Sequence, residues 1–209
     1  MKLLPALVLA FVTGLLAPAP AGAGKFNKKL NIGDAAPTWK DLEGTDGKKH
    51  SFADWKDKDV LVVVFTCNSC IIAEGYEERL VEFAARCNRP DSKVGFVAIN
   101  VNTGKVDALP AMKERAAKKK FGFTYLYDPS QASAQAYGAM YTPECFVLTK
   151  DRKVAYMGAF DDNSGGAPKV KYVEEAVKLA LAGKPAAVAE SSAAGGCRIV
   201  FNKKKDDDD

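Results

Sequence analysis

Residues 60–72 read VLVVVFTCNSCII. The first six are apolar, mostly β-branched and without polar alternation, the pattern of a strand buried on both faces of a parallel sheet. Cys67 and Cys70 follow at once, with two residues between them. Then Ile72, Tyr76, Leu80, Phe83 and Cys87 recur at helical spacing, while Glu74, Glu77, Glu78, Arg79 and Glu82 fall elsewhere. A buried strand therefore runs into a cysteine pair and out into an amphipathic helix, which Asn88 and Pro90 end.

The flanking sequence extends this alternation. Upstream, Asp46-Gly47 is a tight-turn signal between short strands expected at 39–42 and 49–52, with a helical turn beginning at Asp54-Trp55. Downstream, 94–99 reads as a second buried strand and 110–120 as a helix with Pro110 in its first turn. A strand at 123–127, a short helix at 130–137, strands at 145–149 and 154–157, and a helix at 170–181 complete the order. Strands alternating with helices predict a sheet covered on both faces. The fold class is α/β: a three-layer α/β/α thioredoxin fold with a mixed sheet, an N-terminal β-hairpin extension and one helical insertion.

The position of the two cysteines gives them chemistry. A thiolate is the nucleophile, and the unpaired N–H groups and positive dipole end at a helix N-terminus favour the anion. The two-residue spacing lets a second thiol resolve a mixed disulfide formed by the first. Cys67 is thus expected to attack and Cys70, facing the helix interior, to resolve. A zinc site would need two further ligands; the chain has no second C-x-x-C and a single histidine, His50, which reads as surface decoration. No metal or organic cofactor is expected.

Both ends differ from the middle. Lys2, an apolar run over 3–16 and Ala21-Gly22-Ala23 follow the grammar of a cleaved secretory leader, so residues 1–23 are expected to be removed and the protein exported to a periplasmic or extracellular space. The run is broken by Pro5 and is short for a membrane span, so no stable span is expected after cleavage. Residues 24–31 form an N-terminal arm, 32–183 the folded domain, 184–196 an Ala/Ser/Gly linker flexible by composition, and 197–209 a short apolar segment with a charged tail. The formal charge of +4 is spread along the chain and gives no nucleic-acid stripe; Lys118-Lys119-Lys120 reads as a solvated helix face.

All five cysteines lie beyond the leader, and five leaves at least one unpaired within a monomer. Cys87 reads as a buried side chain on its helix and Cys145 as core. Cys197 is read either as a thiol that packs its apolar island onto the domain or as a mobile thiol that exchanges with Cys67.

Residues 32–37 (IGDAAP), Asp46-Gly47, the strand-CNSC-helix unit, Ala98-Ile99-Asn100, residues 125–128 (YLYD), Ala136-Tyr137-Gly138 and Thr142-Pro143-Glu144 follow in one order. In this the chain resembles the peroxiredoxin-like branch of the redoxin (AhpC/TSA) family, close to TlpA-like thiol-disulfide oxidoreductases. The resemblance covers roughly residues 32–183. It implies that Cys67 and Cys70 form the redox pair. It also implies that Pro143 is a cis proline and that the Thr142-Pro143 backbone holds substrate. The substrates implied are exported protein thiols and disulfides, and a membrane-bound or exported redox partner recycles the pair.

The chain departs from relatives where the potential is set: Thr66 precedes the first cysteine, Asn68-Ser69 lie between the two, and Ile71 follows. Peroxide reduction by Cys67 is an alternative. Classical peroxiredoxins place a threonine three residues before the peroxidatic cysteine, whereas Thr66 lies one before Cys67 and four before Cys70. Further alternatives are a Cu(I)-binding metallochaperone, since two thiolates are soft ligands, and a structural disulfide.

Overall fold

The computed structural model describes residues 24–202. The expected leader, residues 1–23, and most of the charged tail, residues 203–209, lie outside the described residues. The central strand β3 (Val60–Phe65) is buried along its whole length. It pairs in parallel with β4 (Val94–Asn100), which pairs in parallel with β5 (Thr124–Tyr127). On its other side β3 pairs antiparallel with β7 (Glu144–Leu148), and β7 with β8 (Val154–Gly158). The hairpin of β1 (Leu42–Gly44) and β2 (Lys49–His50) adds to β5, giving a seven-stranded mixed sheet in the order β2-β1-β5-β4-β3-β7-β8.

The period-two pleat of β3 divides the core. Val60, Val62 and Val64 face a layer containing Tyr76, Leu80 and Phe83 of α1 (Ile71–Cys87), Met112 of α2 (Leu109–Lys118), and Val173 and Val177 of α4 (Tyr172–Leu181). Leu61, Val63 and Phe65 face Ala134 and Tyr137 of α3 (Ala132–Tyr137), with Leu30, Trp39 and Ile199. The expected α/β/α thioredoxin fold is what the chain adopts. Its sheet buries aliphatic side chains on both faces, each removed from water at roughly 1.5–3 kcal/mol.

Two segments differ from the sequence expectation. The first hairpin strand is Leu42–Gly44 rather than 39–42, because Trp39 turns inward beside Phe52 and Trp55 and Asp41 adopts a left-handed conformation. Residues 184–196, expected to be a flexible linker, lie partly along the outer edge of β8. Met157 N–H donates to the Ala189 carbonyl (3.1 Å), Ser191 N–H donates to the Met157 carbonyl (3.1 Å), and Ser191 Oγ accepts from Ala159 N–H (3.0 Å). Small side chains let this backbone approach closely; at Gly158 (φ +140°) a Cβ would meet the Ser191 carbonyl.

Beyond Gly196 the chain forms β9 (Cys197–Arg198), antiparallel to β6 (Tyr141–Thr142). No described helix is long and apolar enough to cross a membrane.

Candidate redox site

The site forms where β3 gives way to α1. Thr66 N–H still donates to the Ile99 carbonyl of β4 (3.0 Å). The chain then leaves the sheet through Cys67, Asn68 and Ser69 and enters α1 with Cys70 as its N-cap. Asp107, 2% exposed in a 3-10 turn at Lys105–Asp107, secures this loop. Its Oδ1 accepts from Asn68 N–H (2.7 Å) and Ser69 N–H (3.1 Å). Asn68 adds a bond from Nδ2 to the Val106 carbonyl (2.9 Å), and Tyr125 donates to Asn68 Oδ1 (3.2 Å).

Thr142 stands opposite, and its bond to Pro143 is cis. Cys67 Sγ lies 3.2 Å from Thr142 Oγ1, while Cys70 Sγ lies 3.1 Å from the Thr142 carbonyl oxygen. The second approach is a contact rather than a hydrogen bond, because Cys70 is disulfide-bonded and carries no thiol proton. Glu144 fixes the turn on the other side of the proline, where its buried carboxylate accepts from Met140 N–H (2.8 Å) and Tyr141 N–H (3.0 Å). The four residues expected at the site, Cys67, Cys70, Thr142 and Pro143, are therefore brought together.

The bonding among the cysteines differs from the expected Cys67–Cys70 pair. Cys70 is joined to Cys197, with Cα atoms 5.7 Å apart and 127 residues between them in sequence, and Cys67 is a free, buried thiol. The β6–β9 register produces this pairing, since it sets Cys197 opposite Thr142 and against the start of α1. In this state Cys197 is bonded to Cys70 and not to Cys67.

The helix N-terminus also serves a different cysteine from the one expected. Ala73 N–H donates to Cys70 Sγ (3.3 Å), whereas Cys67 precedes the helix by a full turn of loop. Burial pushes the Cys67 thiol above its ordinary value. Hydrogen bonds with Thr142 and Ser69 oppose that shift, and the Asp107 carboxylate reinforces it. Desolvation of the anion outweighs the favourable contacts.

The remaining candidates lie elsewhere. Cys87 is buried at the end of α1, and Cys145 is fully buried in β7, paired in register with Val64. His50 sits in the hairpin between Asp46 (3.0 Å) and Asp54 (3.3 Å). Among the described residues no group of three or more His, Cys, Asp or Glu side chains is arranged to hold a metal. Beside Pro143 a groove of about 310 Å³ opens between Ile72, Tyr76, Phe160, Ser191 and Gly196. Ile71, 77% exposed, lies at the start of α1.

The Redoxin family model matches residues 31–177, most of the chain. The chain belongs to the Redoxin family. A hypothetical protein of Sinorhizobium meliloti 1021 is 29% identical, with 84% of this chain and 97% of that one covered at a TM-score of 0.74. An uncharacterized conserved protein of Geobacillus kaustophilus is 30% identical, with 83% and 94% covered at 0.73. A thiol:disulfide interchange protein of the thioredoxin family from Chlorobium tepidum TLS, 21% identical, shares the fold over 72% of this chain and 98% of its own, at a TM-score of 0.57. None of the curated proteins compared with the chain matches it. Membership of the Redoxin family makes this protein an oxidoreductase.

Proposed function

We propose that the protein is an exported thiol-disulfide oxidoreductase that exchanges disulfides with extracytoplasmic proteins through Cys67 and Cys70. The observation that carries this reading is the placing of both sulfurs on one residue of the cis-proline turn, Cys67 at the Thr142 hydroxyl and Cys70 at the Thr142 carbonyl. A substrate strand seated on that turn would bring its own sulfur to the pair.

In the reducing direction the Cys67 thiolate attacks one sulfur of a substrate disulfide. A mixed disulfide forms and the other substrate sulfur leaves as a thiolate. The Cys70 thiolate then attacks Cys67 Sγ, forming Cys67–Cys70 and releasing the second substrate thiolate. Two electrons pass to the substrate, and its two thiolates take up the protons lost by the cysteines. Thr142 Oγ1 donates a hydrogen bond to the Cys67 anion, and the N-terminus of α1 supports the Cys70 anion. The oxidising direction reverses each step. A membrane-bound or exported partner recycles the pair, a dithiol reducing it after the first direction and a disulfide oxidising it after the second.

The test is the reduction potential of the Cys67–Cys70 pair, from a glutathione titration with mass-resolved alkylation. A reversible potential between about −270 and −120 mV supports an exchange enzyme. A pair that never forms, or resists reduction far below that range, overturns it. A fast peroxide-dependent sulfenic acid at Cys67 would instead assign a peroxidase.

A further inference from the structure

We propose that the channel between Gln131 and β6 is a binding site for an extended, cysteine-bearing peptide, occupied here in cis by residues 196–202, and that Cys197 is a third redox cysteine released by exchange with Cys67. The proposal rests on the exchange function assigned above and deepens it by naming the peptide class and the resident occupant.

The channel reads main chain. Cys197 and Arg198 pair with Thr142 and Tyr141, and Ile199 N–H donates to the Met140 carbonyl (2.8 Å). Gln131 supplies the opposite wall. It is 1% exposed and left-handed (φ 62°), and its amide binds the arm twice: Nε2 donates to the Val200 carbonyl (3.0 Å) and Oε1 accepts from Asn202 N–H (2.7 Å). A third bond, from Nε2 to the Val101 carbonyl (2.9 Å), anchors the amide to the domain. A buried side chain that spends both ends of its amide on the backbone of the segment following β9 suits a peptide clamp, because main-chain bonds give affinity without dictating sequence.

Side chains then specify the occupant. At Gly196 a Cβ would run into the Thr142 carbonyl, so the residue before the cysteine must be glycine. Cys197 lies opposite Thr142 and reaches Cys70. Ile199 is 2% exposed and packs in the core layer with Tyr137 and Phe65, whereas Val200 is 78% exposed. The peptide class is therefore Gly-Cys-x-aliphatic in extended form.

Release follows from the cysteine arrangement. Cys67, Cys70 and Cys197 pack as one cluster around Thr142. The Cys67 thiol loses its proton to solvent, and its thiolate attacks Cys70 Sγ. The Cys70–Cys197 bond breaks as Cys67–Cys70 forms, and Cys197 departs as a thiolate that takes a proton from solvent. One disulfide replaces another, with no net oxidation and no added reactant. The arm is then held by hydrogen bonds and Ile199 alone, and a substrate strand competes for its place.

The experiment has two parts. Protein oxidised with glutathione disulfide is alkylated and mapped by mass. The wild type is expected to hold mainly Cys70–Cys197. Gly196→Val, which keeps every cysteine but forces the arm off Thr142, should shift the ratio toward Cys67–Cys70 by about ten-fold. Reduced Gly196→Val protein is then mixed with a synthetic peptide of residues 195–202 carrying thionitrobenzoate on its cysteine. The same peptide with Ile199→Asp should react about ten-fold more slowly with that protein, and the rate with glutathione disulfide, which carries no aliphatic group for that position, gives the variant's own thiol reactivity as the reference. Cys67–Cys70 forming with no Cys70–Cys197 in the wild type, or equal rates for the two peptides, overturns the proposal and leaves the exchange function standing. Failure of any disulfide to form among the three cysteines overturns both.

Discussion

Asp107 holds the backbone of Asn68, accepting its N–H at 2.7 Å while the same oxygen takes Ser69 N–H at 3.1 Å. One carboxylate thus shapes the loop between the two cysteines and places a negative charge near Cys67. Asp107→Asn removes the charge and keeps an acceptor, so the Cys67 thiol should become more acidic. The pH profile of iodoacetamide labelling at Cys67, read by mass, should move to lower pH. The lost charge-assisted bonds should cost about 1–3 kcal/mol in urea unfolding. An unmoved profile would show that Asp107 does not act on the Cys67 anion.

Glu144 runs opposite to the usual carboxylate. Burial raises it above its ordinary 4.5, although the Met140 and Tyr141 N–H groups favour the anion. Between 4.5 and the raised value the folded protein keeps a proton that the unfolded chain has released. Its contribution to stability is therefore full below 4.5 and falls as pH rises through that window. Glu144→Gln should abolish this component, so that the difference between wild type and variant declines as pH rises above 4.5 through the raised value and then levels off. Urea titrations across that range give the sign directly.

Cys87 and Cys145 should behave as core. Burial pushes the Cys87 thiol up to about 11 and Cys145 well above the ordinary value. After reduction, Cys197, which is only partly buried, should label in the native protein at neutral pH, with Cys87 and Cys145 labelling only on unfolding. Above pH 9 the unfolded chain loses the Cys87 proton and the folded chain keeps it, so this part of stability falls between about 9 and 11. Cys87→Ala should flatten that slope.

The Cys70–Cys197 bond closes a long loop, its ends 127 residues apart. Constraining the unfolded chain over that length is worth up to about 5 kcal/mol. Dithiothreitol should lower the unfolding free energy of the wild type by about 2–5 kcal/mol. Cys197→Ser should start from the lower value. Equal stability of oxidised and reduced wild type would place the bond outside the stable folded state.

The elements around β3 were legible because their signals are local. The unbroken apolar run, the cysteine spacing and the helical recurrence from Ile72 to Cys87 each lie within a few turns of chain, and the structure places strand, loop and helix accordingly. Thr142-Pro143 reached the site through resemblance alone, since an X-Pro pair does not declare its isomer. Asp107, Glu144 and Gln131 were missed. Each acts through backbone groups of distant or unpatterned segments, and a polar residue after a strand or before a short helix gives no sign of what its side chain will meet. The Ala/Ser/Gly stretch was misleading for a related reason. Composition reports how little side chain there is to pack, yet small residues also allow backbone to lie flat against an edge strand, as Ala189 and Ser191 do on Met157.

That edge docking bears on how copies of the protein meet one another. A sheet has two outer strands whose unused N–H and C=O groups invite pairing with other chains. Here β2 spans two residues, Lys49 and His50, and is too short and polar to template another strand, while β8 is partly covered by residues 189–191. The protein thereby guards both flanks of its sheet against polymerisation, and it does so on the β8 side with the segment that leads to Cys197. One stretch of chain thus has two uses, covering a sheet edge at Ala189 and Ser191 and delivering Cys197 to the redox site.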